Sequence, residues 1–175
     1  MSFFVSVGFN FIIYSFLGWI IENLYCYHLF KRFQEDGFLY GPYKPMYGFA
    51  FSTLVLLNDV IHNNIILAMI ICLLIPTFIE YLSGYYLKKF FNKIYWDYSN
   101  ERANYNGLVC AKFSFYWMIL SLLGMFFIHP MINKFFLFYK DTSFVFIILI
   151  LLAISMDLFM TIATLSKENK LFKKF

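Results

Sequence analysis

The chain has 175 residues, of which 62% are hydrophobic, 24% aromatic and only 14% charged. Soluble domains carry about 25% charged residues, and one core of this size cannot hide so much apolar side chain, so a soluble globule is excluded and lipid is the expected solvent. The net charge of +4 comes as short Lys and Arg clusters at the ends of apolar runs, the pattern of membrane flanks; it gives no sign of a nucleic-acid partner.

The first predicted element is a membrane span at 3–30. No Lys or Arg precedes Lys31 and no small-residue cleavage site follows, so it reads as a retained span and not a signal peptide. It carries Glu22 about two turns from its end, and Tyr14, Gly18, Glu22 and Tyr25 fall on one helical face.

The stretch "GFLYGPYKPMYG" (Gly37 to Gly48) follows. Pro42 and Pro45 forbid a continuous helix, and the glycines permit tight turns. Irregular backbone at membrane depth is tolerated only where it packs in protein or lines a wet cavity. The segment is therefore expected to be an ordered rim over a cytoplasm-facing cavity, offering Gly41, Pro42, Lys44 and Tyr47 to a ligand; the alternative is a tight interfacial turn.

A second span, 46–61, is short and interrupted by Asn58 and Asp59, so it either crosses or re-enters. Basic residues favour crossing. With five spans, eleven Lys and Arg lie on one side and two on the other, with Lys112 just inside span four. This bias puts the N-terminus outside and the C-terminus in the cytoplasm.

The third span, 65–91, carries Pro76, Glu80 and Gly84 on one face, with a kink expected at Pro76. Residues 92–110, "NKIYWDYSNERANYNGLVC", are rich in aromatic and turn-forming residues and predict an ordered loop closing the cytoplasmic mouth, with Asp97 and Arg102 able to pair. The fourth span, 108–132, places Ser114, Trp117, Ser121 and Gly124 on one face; the fifth, 143–165, places Asp157, Thr161 and Thr164 on another.

Ionised groups facing lipid cost several kcal/mol. Glu22, Glu80, Lys112 and Asp157 are therefore expected to face the bundle interior or a water-filled cavity, all in the cytoplasmic half. The plainer alternative makes these stripes packing seams, with Glu22 or Glu80 paired to Lys112 or Arg102. The candidate ligand-binding set is Glu22, Gly41, Pro42, Lys44, Tyr47, Glu80, Asp97, Arg102 and Lys112. No catalytic residue is assigned. No phosphate-binding loop and no G-x-S-x-G nucleophile elbow occurs in the sequence. His28, His62, His129 and the isolated Cys26, Cys72 and Cys110 lack metal-ligand spacing, so neither a metal nor a cofactor is expected.

Five motifs in order, "YSFLGWIIENLY", "GFLYGPYKPMYG", "EYLSGYYL", "YWDYSN" and "NGLVCAKFSFYW", resemble the small bacterial membrane proteins of the putative ABC-transporter type IV (CmpB-like) family. The resemblance covers Tyr14 to Trp117. By position it includes Gly18, Trp19 and Glu22, the Gly–Pro–Tyr loop, Glu80 with Tyr81 and Gly84, the Trp96–Ser99 run, and Asn106 with Gly107. It implies a polytopic helical bundle in a bacterial membrane, acting in transport with a separate ATPase subunit or a second copy. The expectation is thus an all-α, single transmembrane domain over 1–175, a permease-like component with a polar cytoplasm-facing pocket for a small molecule or lipid. Two alternatives stand: a membrane-embedded enzyme acting on a lipid or lipid-linked substrate, and a regulatory subunit without a ligand.

Overall fold

The computed structural model describes the backbone of residues 2–33 and 37–172, and the side chains of residues 3–33, 37–139 and 144–167. The clustered basic residues Lys140, Lys170, Lys173 and Lys174 therefore lie outside the described side chains. Helix α1 (Ser2–Phe30) is followed by α2 (Pro45–Leu56), α3 (Asn58–Asn63) and α4 (Ile65–Phe91). A two-stranded hairpin, β1 (Asn104–Tyr105) and β2 (Val109–Cys110), precedes α5 (Ala111–Leu123); a π-helical turn (Gly124–Ile128) joins α5 to α6 (His129–Phe172).

Four segments are long and apolar enough to cross a membrane: Phe3–Phe30, Ile65–Phe91, Ala111–Tyr139 and Phe144–Lys167. The chain is an all-α membrane protein. Helix α2, at 12 residues, is too short to cross by itself. The break after it falls at Leu57, beside the Asn58–Asp59 pair that marks the interruption in the sequence. The next helix restarts with a side-chain cap, the Asn64 amide oxygen accepting from the Ile66 and Leu67 N–H groups.

The polar residues inside α1 are partly satisfied within the helix: the Asn10 and Asn23 amides donate to the carbonyls of Ser6 and Trp19, one turn back. Helix α2 runs antiparallel to α1, Tyr47 lying against Gly18 and Phe51 stacking on Tyr14 at 4.5 Å between ring centroids. A methyl group on Gly18 would collide with the Tyr47 ring. The missing side chain is what lets the two backbones approach. Helix α2 in turn packs on α4, so it lies between α1 and α4. Buried positions on α4 recur every four residues, Ala68, Cys72, Pro76, Glu80 and Gly84, which makes one seam of the stripe expected at Pro76, Glu80 and Gly84. Pro76 lies inside the continuous helix Ile65–Phe91.

The fourth span departs from expectation at both ends. It begins at Ala111 because Val109 and Cys110 pair with Tyr105 and Asn104 in the hairpin. It continues past 132 to Tyr139. Pro130 has no N–H and its ring crowds the carbonyl four residues earlier. The π turn immediately before it widens the helix at that place, so the chain passes a proline that reads as an exit signal. The buried face of this span is the expected one, Ser114, Trp117, Ser121 and Gly124.

Helix α6 must reverse direction. Tyr14 and Phe9 meet His129 and Phe136 in that order, so the first part of α6 runs antiparallel to α1. Gly8 then lies against Ile147 and Leu151, and Asp157 binds Gly41 in the loop pinned at Ser15, so the second part runs with α1. The reversal lies between Phe136, which meets Phe9, and Ile147, which meets Gly8. Two apolar clusters hold the bundle. One joins Tyr14, Phe51, Leu54, Cys72, Met118 and Met125 across α1, α2, α4, α5 and the π turn; the other joins Phe9, Ile12, Leu39, Phe136, Ile147 and Ile154 across α1, the Gly37–Lys44 segment and both parts of α6.

Candidate functional site

The second traverse of the bundle is only half helical, and this creates the site. The N–H of Lys44 donates to the carbonyl of Ser15, in the middle of α1, at 2.9 Å. Lys44 is extended (φ −118°, ψ 91°), as the residue before a proline must be, and Pro45 opens α2 with its φ already helical. Helix α2 thus begins at mid-bundle. From Gly37 to Lys44, between the end of α1 and this depth, the chain is irregular and thinner than a helix.

That irregular segment is held by α6. The carboxylate of Asp157 accepts from the N–H groups of Gly41 at 2.7 Å and Tyr40 at 3.1 Å, and the Thr161 hydroxyl reaches it at 3.4 Å. The Tyr43 N–H donates to the Gly41 carbonyl at 2.8 Å, a tight turn centred on Pro42, whose fixed φ suits it. A Cβ on Gly41 would stand 3.1 Å from Asp157 Oδ2. Two backbone donors that would otherwise lie unpaired among apolar helices are so accounted for.

With no full helix there, a cavity of about 900 Å³ opens among α1, α2, α4, α5 and the second part of α6. Its wall is mostly aromatic and aliphatic, and among the described residues three side chains that carry full charges of both signs line it: Glu22, Lys44 and Glu80. Lys44 Nζ lies 2.6 Å from Glu22 Oε2, the two side chains being 12% and 24% exposed, so this is a mostly desolvated ion pair. Tyr47, fully enclosed on Gly18, also approaches Glu22. Glu80 is 3% exposed. Its Oε1 accepts from the Tyr98 hydroxyl at 3.0 Å, and the Trp117 side chain stands beside the same carboxyl. Its Oε2 is buried without a hydrogen-bond partner among the described residues.

Residues 92–110 close one end. Asn106 (φ 56°) and Gly107 (φ 70°) both occupy the left-handed region at the hairpin turn, which the Leu108 N–H closes onto the Tyr105 carbonyl. The Trp96 indole N–H donates to the Leu108 carbonyl at 2.8 Å, and the Tyr98 N–H to the Gly107 carbonyl at 2.8 Å. Tyr98 also stacks on Phe113 at 4.6 Å. Burial first, and Glu80 next, push the Tyr98 hydroxyl well above the usual phenol range, so it remains a proton donor to Glu80 at physiological pH.

The structure brings together Glu22, Lys44, Tyr47 and Glu80 of the expected set. Gly41 and Pro42 stand behind the cavity, turned toward α6. Asp97, Arg102 and Lys112 are exposed at the loop end and do not line it. The Asp97 carboxylate accepts from the hydroxyl and N–H of Ser99, which hold it below the usual carboxylate range. Lys112 pairs with Glu101 at 2.9 Å with half of its side chain exposed, so its expected inward orientation is corrected: the first turn of α5 is close enough to the surface for the ammonium to reach water. Sequence reasoning missed the service of Asp157 to the loop, and the parts of Tyr98 and Trp117 in enclosing Glu80. A carboxylate at depth in α6 was the available signal for Asp157. Nothing local marks which aromatic residue meets which acid. An apolar, aromatic-walled space with a few convergent polar groups suits an amphiphilic small molecule.

A family model described as Putative ABC-transporter type IV matches residues 9–162. No curated protein and no solved structure matches the chain.

Proposed function

We propose that this chain, which belongs to the Putative ABC-transporter type IV family, is a permease-like transport component of the bacterial cell membrane whose cavity holds a small molecule or lipid. The observation that carries the reading is the cavity of about 900 Å³ with the Glu22–Lys44 pair and Glu80 on its wall. A half-helix starting at mid-depth, with charged side chains beside it, is a recurrent way for transporters to hold cargo inside a bilayer. Residues 1–175 form one transmembrane domain that crosses five times, the second crossing being the irregular segment with α2 and α3. Eleven of the basic residues then face the cytoplasm and two face outward. The ligand contacts Glu22, Lys44, Tyr47 and Glu80. Gly41 and Pro42 shape the loop. Energy comes from a separate ATPase subunit or from assembly with a second copy.

Native mass spectrometry of the gently extracted protein tests this. The expected spectrum shows a small molecule retained by the wild type and depleted in a Ser83→Phe variant, whose ring fills the cavity that Ser83 lines. Equal retention by both proteins, or none by either, would refute the reading.

A further inference from the structure

The charge balance of the cavity points to the class of ligand, given the reading of an occupied cavity above. Among the described residues, two carboxylates and one ammonium line it. The ammonium is already engaged, Lys44 Nζ lying 2.6 Å from Glu22 Oε2. An anionic head would have to break that pair and would face both acids. Acceptors, in contrast, are in excess. Glu80 has Oε1 bonded to Tyr98, while Oε2 is buried without a partner among the described residues. A carboxylate presents about four lone-pair sites, and a buried acceptor left unpaired is costly. The walls add a second preference. Tyr25, Tyr86, Trp96, Tyr98, Tyr116 and Trp117 all line the space, and aromatic faces attract organic cations while accepting apolar bodies.

We infer that the cavity takes a monocationic amphiphile, an amine or ammonium head on an apolar body, with the head placed at Glu80. Glu22 stays neutralised by Lys44, and the ligand cation makes the enclosed site neutral overall. The apolar body lies along the side of the cavity where Leu151, Ile154 and Leu158 of α6 face Phe11 of α1. Lys44 serves to hold Glu22 and the start of α2.

Equilibrium binding of labelled decylammonium and of decyl sulfate, to the protein in phosphatidylcholine nanodiscs against empty nanodiscs, tests the assignment. Saturable binding of decylammonium is expected, with the affinity lowered at least tenfold in Glu80→Gln, a change that keeps shape and removes charge. Decyl sulfate should not bind saturably. Ser83→Phe should abolish decylammonium binding while Glu80 remains intact, which separates a blocked cavity from a lost charge. Saturable decyl sulfate binding that is lost in Lys44→Ala would overturn the cation assignment and leave the occupied cavity standing. Decylammonium binding unchanged in Glu80→Gln would also overturn it. A small molecule retained in the native mass spectrum while neither probe binds would overturn the cation assignment alone.

Discussion

The Tyr98 hydroxyl and Glu80 are the best place to see what one atom does in this bundle. The hydroxyl donates to Oε1 at 3.0 Å, and the ring stacks on Phe113 independently. Tyr98→Phe keeps the stack and removes the donor to Glu80 Oε1. An orphaned buried polar group costs about 1–3 kcal/mol, and in a chain of this size 1 kcal/mol moves the melting point by about 2–4 °C. Thermal unfolding in detergent should therefore show Tyr98→Phe melting several degrees lower. In Glu80→Gln the tyrosine keeps an acceptor, so the loss should be smaller. Gly18 offers a steric counterpart. Its position opposite the Tyr47 ring leaves no room for a side chain. Gly18→Leu should displace α2 from α1, cost about 1–3 kcal/mol as overpacking, and appear as a lowered melting point with weakened ligand retention.

Among the elements, the segment from Gly37 to Lys44 matters most, because it is backbone without a helix at helix depth. Its donors are met by Asp157 from a different part of the chain. Asp157→Ala should loosen it. Losing two bonds to a carboxylate, each worth about 1.5–3 kcal/mol, should speed amide exchange of Tyr40 and Gly41 by tenfold or more, while α1 and α4 keep their protection. Exchange unchanged at those two amides would show that the loop is held by something other than Asp157. The loop at 92–110 depends instead on its own turn. Gly107 at φ 70° would also bring any side chain to 2.6 Å from Ser99 Oγ and 2.8 Å from Asp97 Oδ1. Gly107→Val should therefore open this cap and make 92–110 cleavable by added protease, whereas Gly37→Ala, where φ is not in the left-handed region, should not.

At the scale of the whole molecule, Leu54 and Ile61 cluster with Ala68 and Cys72 while Glu22 and Tyr47 share the cavity with Glu80, so α1 and α4 run in the same direction, with α2 antiparallel to both. The chain therefore travels the length of the bundle between Phe30 and Ile65, although only 12 residues of that path form a helix of more than two turns. The proposed five crossings rest on this course together with the basic bias. In a variant lacking the native Cys26, Cys72 and Cys110, a cysteine at Asn64 should react with an impermeant maleimide in intact cells. One at Asn100 should react only after permeabilisation. Labelling at Asn100 from outside would reverse the orientation.

What the sequence determined by itself are the features that one helix or one turn decides. The lengths of 3–30 and 65–91 followed from apolar runs matched to bilayer thickness. The interruption near Asn58 followed from polarity, and the buried faces of α4 and α5 from the 3.6-residue period that puts small and polar residues on one side. The inward position of Glu80 followed from the cost of a charge in lipid. What only the tertiary structure decided depends on which helix lies beside which. Lys44 is taken by Glu22, Asp157 holds the Gly–Pro–Tyr loop, Tyr98 reaches Glu80 across the cap, and Lys112 turns outward to Glu101. Each of these is a contact between segments whose relative depth is set by packing. The local pattern fixes which face of a helix is polar. Only the start of α2 at the level of Ser15 fixes what that face meets, and so leaves a cavity where a longer helix would have filled the bundle.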